Sequence, residues 1–278
     1  MLPFFTAGPF RLELYGLLVV FGAALGILWL WVERPRGKAP GETPGQFWAL
    51  IYSLVLGGLA GGKIGFLVVE WRDFLAEPRE MLSSWKIGWV FWTSLGGAML
   101  AGWAFQRVFN RGRREKRRYL PLADYLIVAL PMGHVFGRLG CFAQGCCHGR
   151  PTALPWGVTF SHPGCSVSEG LMGVPLHPTQ LYEAAGELAL LLFLLYYVLP
   201  NIERKRFTHG TSFLGYIFLY SLMRFVIEFF RGDDRGVFLW PALSPSQWFS
   251  SAGLLVAGVL LWRRGVSERQ PDTRSVYY

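Results

Sequence analysis

The sequence predicts an all-α integral membrane protein: one membrane domain over 1–278 with seven transmembrane helices, the N-terminus outside, the C-terminus cytoplasmic, and one long exoplasmic loop. Three observations predict it. Of 278 residues, 52% are hydrophobic and only 16% charged, against about a quarter charged in soluble domains. Seven apolar runs come near the roughly 20 residues needed to cross about 30 Å of hydrocarbon. The basic residues behind the net charge of +9 gather between these runs rather than along one face. That placement orients a chain in a bilayer and argues against a nucleic-acid partner. The same composition excludes disorder, a repeat solenoid and an ordinary soluble domain.

The runs fall at about 13–32, 47–69, 86–106, 121–140, 180–199, 211–230 and 246–262. The first is too long for a signal-peptide core and is followed by no A-x-A-like cleavage site, so it reads as a retained helix. The second holds GGLAGG (57–62) followed by Lys63, and the third holds Gly96 and Gly97. Such small residues let helices approach closely and admit acyl chains or headgroups. The fourth carries His134 and Arg138, and the fifth Glu183 and Glu187. In the sixth, Arg224, Glu228 and Arg231 recur at i, i+4 and i+7 after Tyr220, which puts them on one helical stripe.

Orientation follows from counting Lys and Arg in the connections. Segments 33–45, 107–119, 200–210 and the tail 263–278 hold 17. The opposite set, Arg11, Arg72, Arg79, Arg150, Arg231 and Arg235, holds six, with Lys86 on a boundary. The positive side faces the cytoplasm, which sends the long connection 141–179 outside. Loops of that length carry function or are tied down locally. All four cysteines, Cys141, Cys146, Cys147 and Cys165, lie in it or at its edge. An oxidising compartment favours one or two disulfide staples, with three pairings open and Cys146–Cys147 the most strained. A metal set from Cys146, Cys147, His148, His162 and Cys165 matches no common zinc spacing, and free thiols stand as the third option.

Ionisable side chains inside spans are costly and mark bundle interiors or substrate paths. Here they concentrate in the outer half. Lys63, Arg138, Arg224 and Arg231 share that depth with Glu183, Glu187 and Glu228, and Tyr15 opens the first span at the same level. Asp124 sits apart at the inner end of the fourth span, where it reads as an interface cap. Arginine forks suit phosphate oxygens, so the pattern points to a site for an anionic phospholipid entered from the bilayer. A transporter would continue its polar residues through both halves and show internal repeats; neither is found.

Three segments then resemble a known family. GRLGCFAQGCCHG (137–149) resembles the glycine-framed signature of the prolipoprotein diacylglyceryl transferases, with Gly137, Arg138, Gly140 and Gly149 in place. HPTQLYEA (177–184), carrying His177, Tyr182 and Glu183, looks like their His-Pro-Ser/Thr-Gln-Leu-Tyr-Glu block. YSLMRFVIEFFRGDD (220–234) is similar to their Tyr-x-x-x-Arg-Phe-x-x-Glu-x-x-Arg segment. Tyr15–Gly16 matches an early Tyr-Gly, and GGKIGF (61–66) a Gly-x-Arg segment with Lys63 for Arg. The likeness runs from about 10 to 262.

The resemblance implies an enzyme of the bacterial inner membrane that moves the diacylglyceryl group of phosphatidylglycerol onto the lipobox cysteine thiol of prolipoprotein signal peptides. It implies no metal and no organic cofactor. Carried over residue by residue, Arg138 and Arg224 bind phosphate, Glu228 holds Arg224, and Arg231 is a secondary candidate. Tyr15 bonds the headgroup, while Lys63, Gly96, Gly97, Tyr182 and Tyr220 line the substrate site. His177 orients the loop or assists proton transfer; apart from the resemblance, the sequence itself offers His134, one turn below Arg138, as an alternative base. Three positions depart from the family: Cys141 stands for its Asn, Cys146 for its Glu, and Leu95 for the His or Tyr before Gly-Gly. These leave the base unassigned and keep a second reading open, a phospholipid-binding homologue with altered or no transfer.

Overall fold

An apolar run in lipid has one local way to satisfy its own N–H and C=O groups, the α-helix. A computed structural model describes residues 3–7, 10–33, 43–83, 90–111, 118–233 and 242–269. Its elements are β1 (Phe4–Ala7), β2 (Phe10–Glu13), α1 (Leu14–Glu33), α2 (Pro44–Val69), α3 (Trp71–Ala76), α4 (Pro78–Ser83) and α5 (Phe91–Phe109), then α6 (Tyr119–Gln144) and α7 (Thr179–Phe193). A π-helical turn, Leu194–Val198, joins α7 to α8 (Leu199–Glu203), and α9 (Thr211–Glu228) and α10 (Pro245–Arg269) complete the chain.

Among the described residues, five stretches are long and apolar enough to cross a membrane: Leu14–Glu33, Pro44–Val69, Tyr119–Gln144, Thr179–Glu203 and Thr211–Glu228. The expected third and seventh spans correspond to α5 and α10, of 19 and 25 residues, whose Gly, Ser, Gln and Arg content lowers their hydropathy. The all-α expectation missed the antiparallel hairpin β1–β2, in register from Phe4 opposite Glu13 to Ala7 opposite Phe10. Lys86, Arg235, the segment 34–42 and the tail beyond 269 lie outside the described residues.

The chain divides into two compact units. The unit Leu30–Leu122 is built on α2 and α5. Thr43 caps α2 reciprocally: its Oγ1 accepts from Gln46 N–H at 3.3 Å, and Gln46 Oε1 accepts from Thr43 N–H at 3.3 Å. The two helices then meet along Gly57, Gly61 and Gly97. A Cβ on Gly57 would lie 2.6 Å from the Gly97 carbonyl oxygen, and one on Gly97 2.9 Å from Gly61 Cα. Only glycine permits that backbone approach. Gly97 therefore packs the helix pair, whereas Gly96 faces open space. Lys63 lies in this unit too, its Nζ 5.5 Å from the centre of the Phe66 ring.

The other unit, Met1–Trp29 with Ala123–Tyr278, holds α6, α7, α9 and α10. Gly22 sits against Gly133 and Phe136, and Gly26 against Ala129, which closes α1 onto α6. Asp124, fully buried, accepts from Gly210 N–H at 2.5 Å and from Phe213 N–H at 3.1 Å. It is thus the N-terminal cap of α9 rather than of an interface, placed there because Gly210 takes φ 98° and has no side chain of its own to cap with.

Two boundaries differ from expectation. The helix α6 runs past 140 to Gln144, so Cys141 is on its last turns and the loop starts later. The helix α9 stops at Glu228, because the next three amides bond back only three residues and Gly232 then nests against Gly149. Arg231 is accordingly off the helical stripe. The loop between α6 and α7 is not stapled: all four cysteines are free thiols. Main-chain pairs hold it instead, Val158 with Leu176 at 2.9 and 3.0 Å and Gly149 N–H to His177 O at 2.9 Å, around a small core of Phe160, Cys165, Val167 and Leu176.

Candidate active site

A spacing of four residues stacks side chains one turn apart on a helix, about 6 Å along its axis. Three helices of one unit use that spacing on facing stripes: His134 and Arg138 on α6, Glu183 and Glu187 on α7, and Tyr216, Tyr220, Arg224 and Glu228 on α9. Facing stripes make rungs.

The rung nearer the loop centres on Glu183, which is 1% exposed. Its carboxylate pairs with Arg138 Nε, with Arg224 Nη1 at 3.2 Å, and with Arg231 Nη1 at 4.0 Å. Arg224 Nη2 also holds Glu228 at 2.6 Å, and Arg231 grips Asp233 with Nε at 2.8 Å and Nη2 at 2.6 Å. Three guanidiniums thus meet three carboxylates, and the formal charges cancel. Buried ions persist only when paired, and here each arginine is pinned at one end. Nη1 of Arg224 and Nη1 of Arg231 are buried and make no hydrogen bond, only the longer ion pairs to Glu183. Those two donors are available to an incoming oxyanion.

The deeper rung is His134, Glu187 and Tyr216. His134 Nδ1 lies 2.5 Å from Glu187 Oε1, and Tyr216 donates its hydroxyl to Glu187 at 3.1 Å. Tyr220 stacks on Tyr216 with centroids 5.5 Å apart and tilts over His134. His134 is thereby committed to a carboxylate one turn below Arg138.

On the loop side, His177 is bound through its main chain on both sides: its N–H donates to Arg150 O at 3.0 Å and its carbonyl accepts from Gly149. Its ring meets the Tyr182 hydroxyl at 3.2 Å, and Trp156 Nε1 donates to the same hydroxyl at 2.8 Å. That arrangement fits loop orientation. Gly149 and Gly232 permit this contact, since a Cβ on Gly232 would lie 2.6 Å from the Gly149 carbonyl. Tyr15, 41% exposed, lies against Gly140, where a Cβ would approach its ring to 3.1 Å.

Cys141, Cys146 and Cys147 come together, with their Sγ atoms all within 4.8 Å of one another. Hydrogen bonds from the Cys141 and Cys146 thiols, then Arg231 and Arg138, hold the Cys147 thiol below the usual range against the effect of burial. The Cys146 thiol is pushed up by its bonds to the same neighbours. Burial lowers Arg231, but Asp233 outweighs it and keeps the guanidinium charged beyond the ordinary range. The metal set weighed from sequence is not formed, since Cys165 belongs to the loop core and His162 packs edge-on to Phe4.

The family model for prolipoprotein diacylglyceryl transferase matches residues 3–263. The chain belongs to the prolipoprotein diacylglyceryl transferase family. A Coxiella burnetii (strain Dugway 5J108-111) protein named phosphatidylglycerol–prolipoprotein diacylglyceryl transferase is 31% identical over 262 residues, 93% of each chain. A Clostridium perfringens (strain 13 / Type A) protein with that name and the numeral 2 is 33% identical over 248 residues, 89% of each. One from Nitratidesulfovibrio vulgaris (strain DP4) is 34% identical over 232 residues, 82% of this chain and 80% of its own.

Within this diacylglyceryl transferase, the structure brings together Arg138, Glu183, Tyr220, Arg224, Glu228 and Arg231, and sets His134, His177, Tyr182, Tyr15, Gly140 and Gly149 around them. Gly137 faces open space on α6. Lys63, Gly96 and Gly97 belong to the other unit. Sequence reasoning missed Tyr216, Asp233, Thr179 and Gln180. Tyr216 was findable, four residues before Tyr220 on the stripe already read. Thr179 and Gln180 act on main-chain carbonyls, which leave no trace in a pattern.

Proposed function

We propose that this chain transfers the diacylglyceryl group of phosphatidylglycerol to the cysteine thiol of a prolipoprotein lipobox, at the outer leaflet of a bacterial inner membrane. The observation that carries the reading is the convergence of Arg138, Arg224 and Arg231 on one buried carboxylate, Glu183, with two buried Nη1 donors left without hydrogen bonds. The family membership and the names of its relatives support the same reaction.

The reaction displaces a phosphate ester at a glycerol carbon by sulfur. The thiol must first lose its proton, since the thiolate is the nucleophile. Charge then develops on the departing glycerol phosphate, and donors already in position stabilise it without reorganisation. Arg224 and Arg231 supply those donors, while Glu228 and Asp233 anchor their other nitrogens and keep the forks aimed. Arg138 completes the clamp, Tyr15 contacts the headgroup, and His177 with Tyr182 holds the loop against α7. His134 is engaged by Glu187, so it serves the packing of the deeper rung.

Topologically, α5 and α10 join the five strongly apolar helices to make seven spans, with the basic segments inside. The arginine rung lies within two turns of the loop-side ends of α6, α7 and α9, at the level of a lipid headgroup in the exoplasmic leaflet. The test is the purified chain with phosphatidylglycerol and a lipobox peptide. A thioether peptide with matching release of glycerol phosphate is expected. Phosphatidylglycerol binding with no release would favour a lipid-binding homologue instead.

A further inference from the structure

Three of the four cysteines stand where α6 gives way to the loop, and the fold has gathered their sulfurs. Cys141 points from the last turns of α6. Gly145 at φ 77° and Cys147 at φ 63° then turn the chain back on itself. A non-glycine residue at positive φ is uncommon and is kept only when its surroundings fix it. Two buried side chains from the first turn of α7 do so: Gln180 Nε2 donates to Cys146 O at 2.7 Å, and Thr179 Oγ1 to Cys147 O at 2.8 Å. The Sγ atoms of Cys141, Cys146 and Cys147 end within 4.8 Å of one another, with Cys141 buried and the other two half-buried. Cys165, by contrast, is packed into the loop core.

Three sulfurs at that separation are close to a metal's coordination shell. A zinc–sulfur bond of about 2.3 Å in tetrahedral geometry sets sulfurs about 3.8 Å apart, so side-chain rotation closes the gap. A disulfide would consume two of the three and leave one. Three thiolates and a divalent ion carry one net negative charge, and Arg231 and Arg138 both act on Cys147 from the active-site side. Three protein ligands leave a fourth position open, as catalytic rather than structural zinc sites do.

We propose that Cys141, Cys146 and Cys147 form a three-thiolate site for a thiophilic divalent ion of the zinc class, whose open position takes the thiol of the acceptor peptide. The second half rests on the transferase reading; the metal site does not. On binding, the acceptor's S–H proton leaves to water and a metal–sulfur bond forms, because coordination deprotonates a thiol. Sulfur then bonds to the glycerol carbon as the carbon–oxygen bond to phosphate breaks, and glycerol phosphate departs. The product thioether is neutral and a weaker ligand than a thiolate, so it vacates the metal. No electron is exchanged with any other reactant. The site thus supplies the activated thiolate.

Cadmium is the probe. Titrated into the full-length, reduced protein in detergent, Cd²⁺ should give a saturable sulfur-to-cadmium charge-transfer band at one ion per chain. The band should vanish in Cys147→Ser and persist in Cys165→Ser. Cd²⁺ should also shield Cys141, Cys146 and Cys147 of the unmutated protein from maleimide, a readout independent of how the variants fold. A lipobox peptide should then raise the band by about a third, as a fourth thiolate joins three, and its Cys→Ser version should not. Absence of the band, its loss in Cys165→Ser, or a disulfide among the three cysteines in protein isolated without reductant would overturn the site. A band unmoved by peptide in an active enzyme removes the catalytic half. Inactivity with the peptide effect intact counts against the transferase reading and leaves the metal site standing.

Discussion

Glu183→Gln is the sharpest perturbation of the arginine rung, because it keeps shape and removes one charge. The pairs at 3.2 and 4.0 Å to Arg224 and Arg231 correspond to gross attractions of about 5 and 4 kcal/mol at an effective dielectric of about 20. The desolvation of four buried ions offsets much of that. Removing one partner nevertheless leaves three guanidiniums facing two carboxylates in a 1% exposed position, and an uncompensated buried charge costs about 3–5 kcal/mol. The purified chain in mild detergent should unfold earlier by that amount in a denaturant titration. A double-mutant cycle gives the mechanism: Glu183→Gln with Arg138→Gln should cost less than the sum of the singles, by about 0.5–3 kcal/mol. Additive costs, or a loss under about 1 kcal/mol for Glu183→Gln, would refute the reasoning.

Other consequences follow from the fold and the thiols. Asp124→Ala should lower stability by about 1–3 kcal/mol by leaving the buried Gly210 amide and the half-buried Phe213 amide unmet, with Asp124→Asn closer to the parent; equal melts for the two would show the cap is not the cause. Gly61→Leu should destabilise the chain by about 1–3 kcal/mol or more through forced separation of α2 and α5, while Gly215→Ala, with nothing within 4 Å of its Cβ, should not; thermal melts compare them. A thiol held low stays ionised below the ordinary range, so Cys147 should still react with maleimide near about pH 6, where an ordinary thiol of pKa about 8.5 is protonated, and Cys146 should not. Peptide mapping of the label decides it, and equal labelling at both would contradict the shift.

Much of this architecture was legible. Apolar length and the distribution of Lys and Arg give the membrane class, and the four-residue spacings of 134/138, 183/187 and 220/224/228 give the rungs, because helical geometry alone puts such residues on one face. Partners across helices were only partly legible. That Glu183 sits among three arginines, and that His134 answers to Glu187, depends on the rotation of three helices about their axes, which no local pattern encodes. Arg231 kept its place beside Glu183 but not its helix, since the tight turn after Glu228 is set by the contact of Gly232 with Gly149. The cysteines were misread as staples because the exoplasmic placement expected of the loop favours disulfides, whereas their clustering depends on carbonyls held by Thr179 and Gln180.

The central claim is that guanidinium forks, and not mere positive charge, hold the departing phosphate. Arg224→Lys tests it most directly, measured as kcat/KM for thioether formation on a lipobox peptide beside Arg206→Ala, an exposed control. Lysine cannot reach Glu228 and a phosphate together, so one charge-assisted hydrogen bond of about 1.5–3 kcal/mol is lost. A fall of about 10–150-fold is expected for Arg224→Lys and none for Arg206→Ala. Full activity in Arg224→Lys would contradict it.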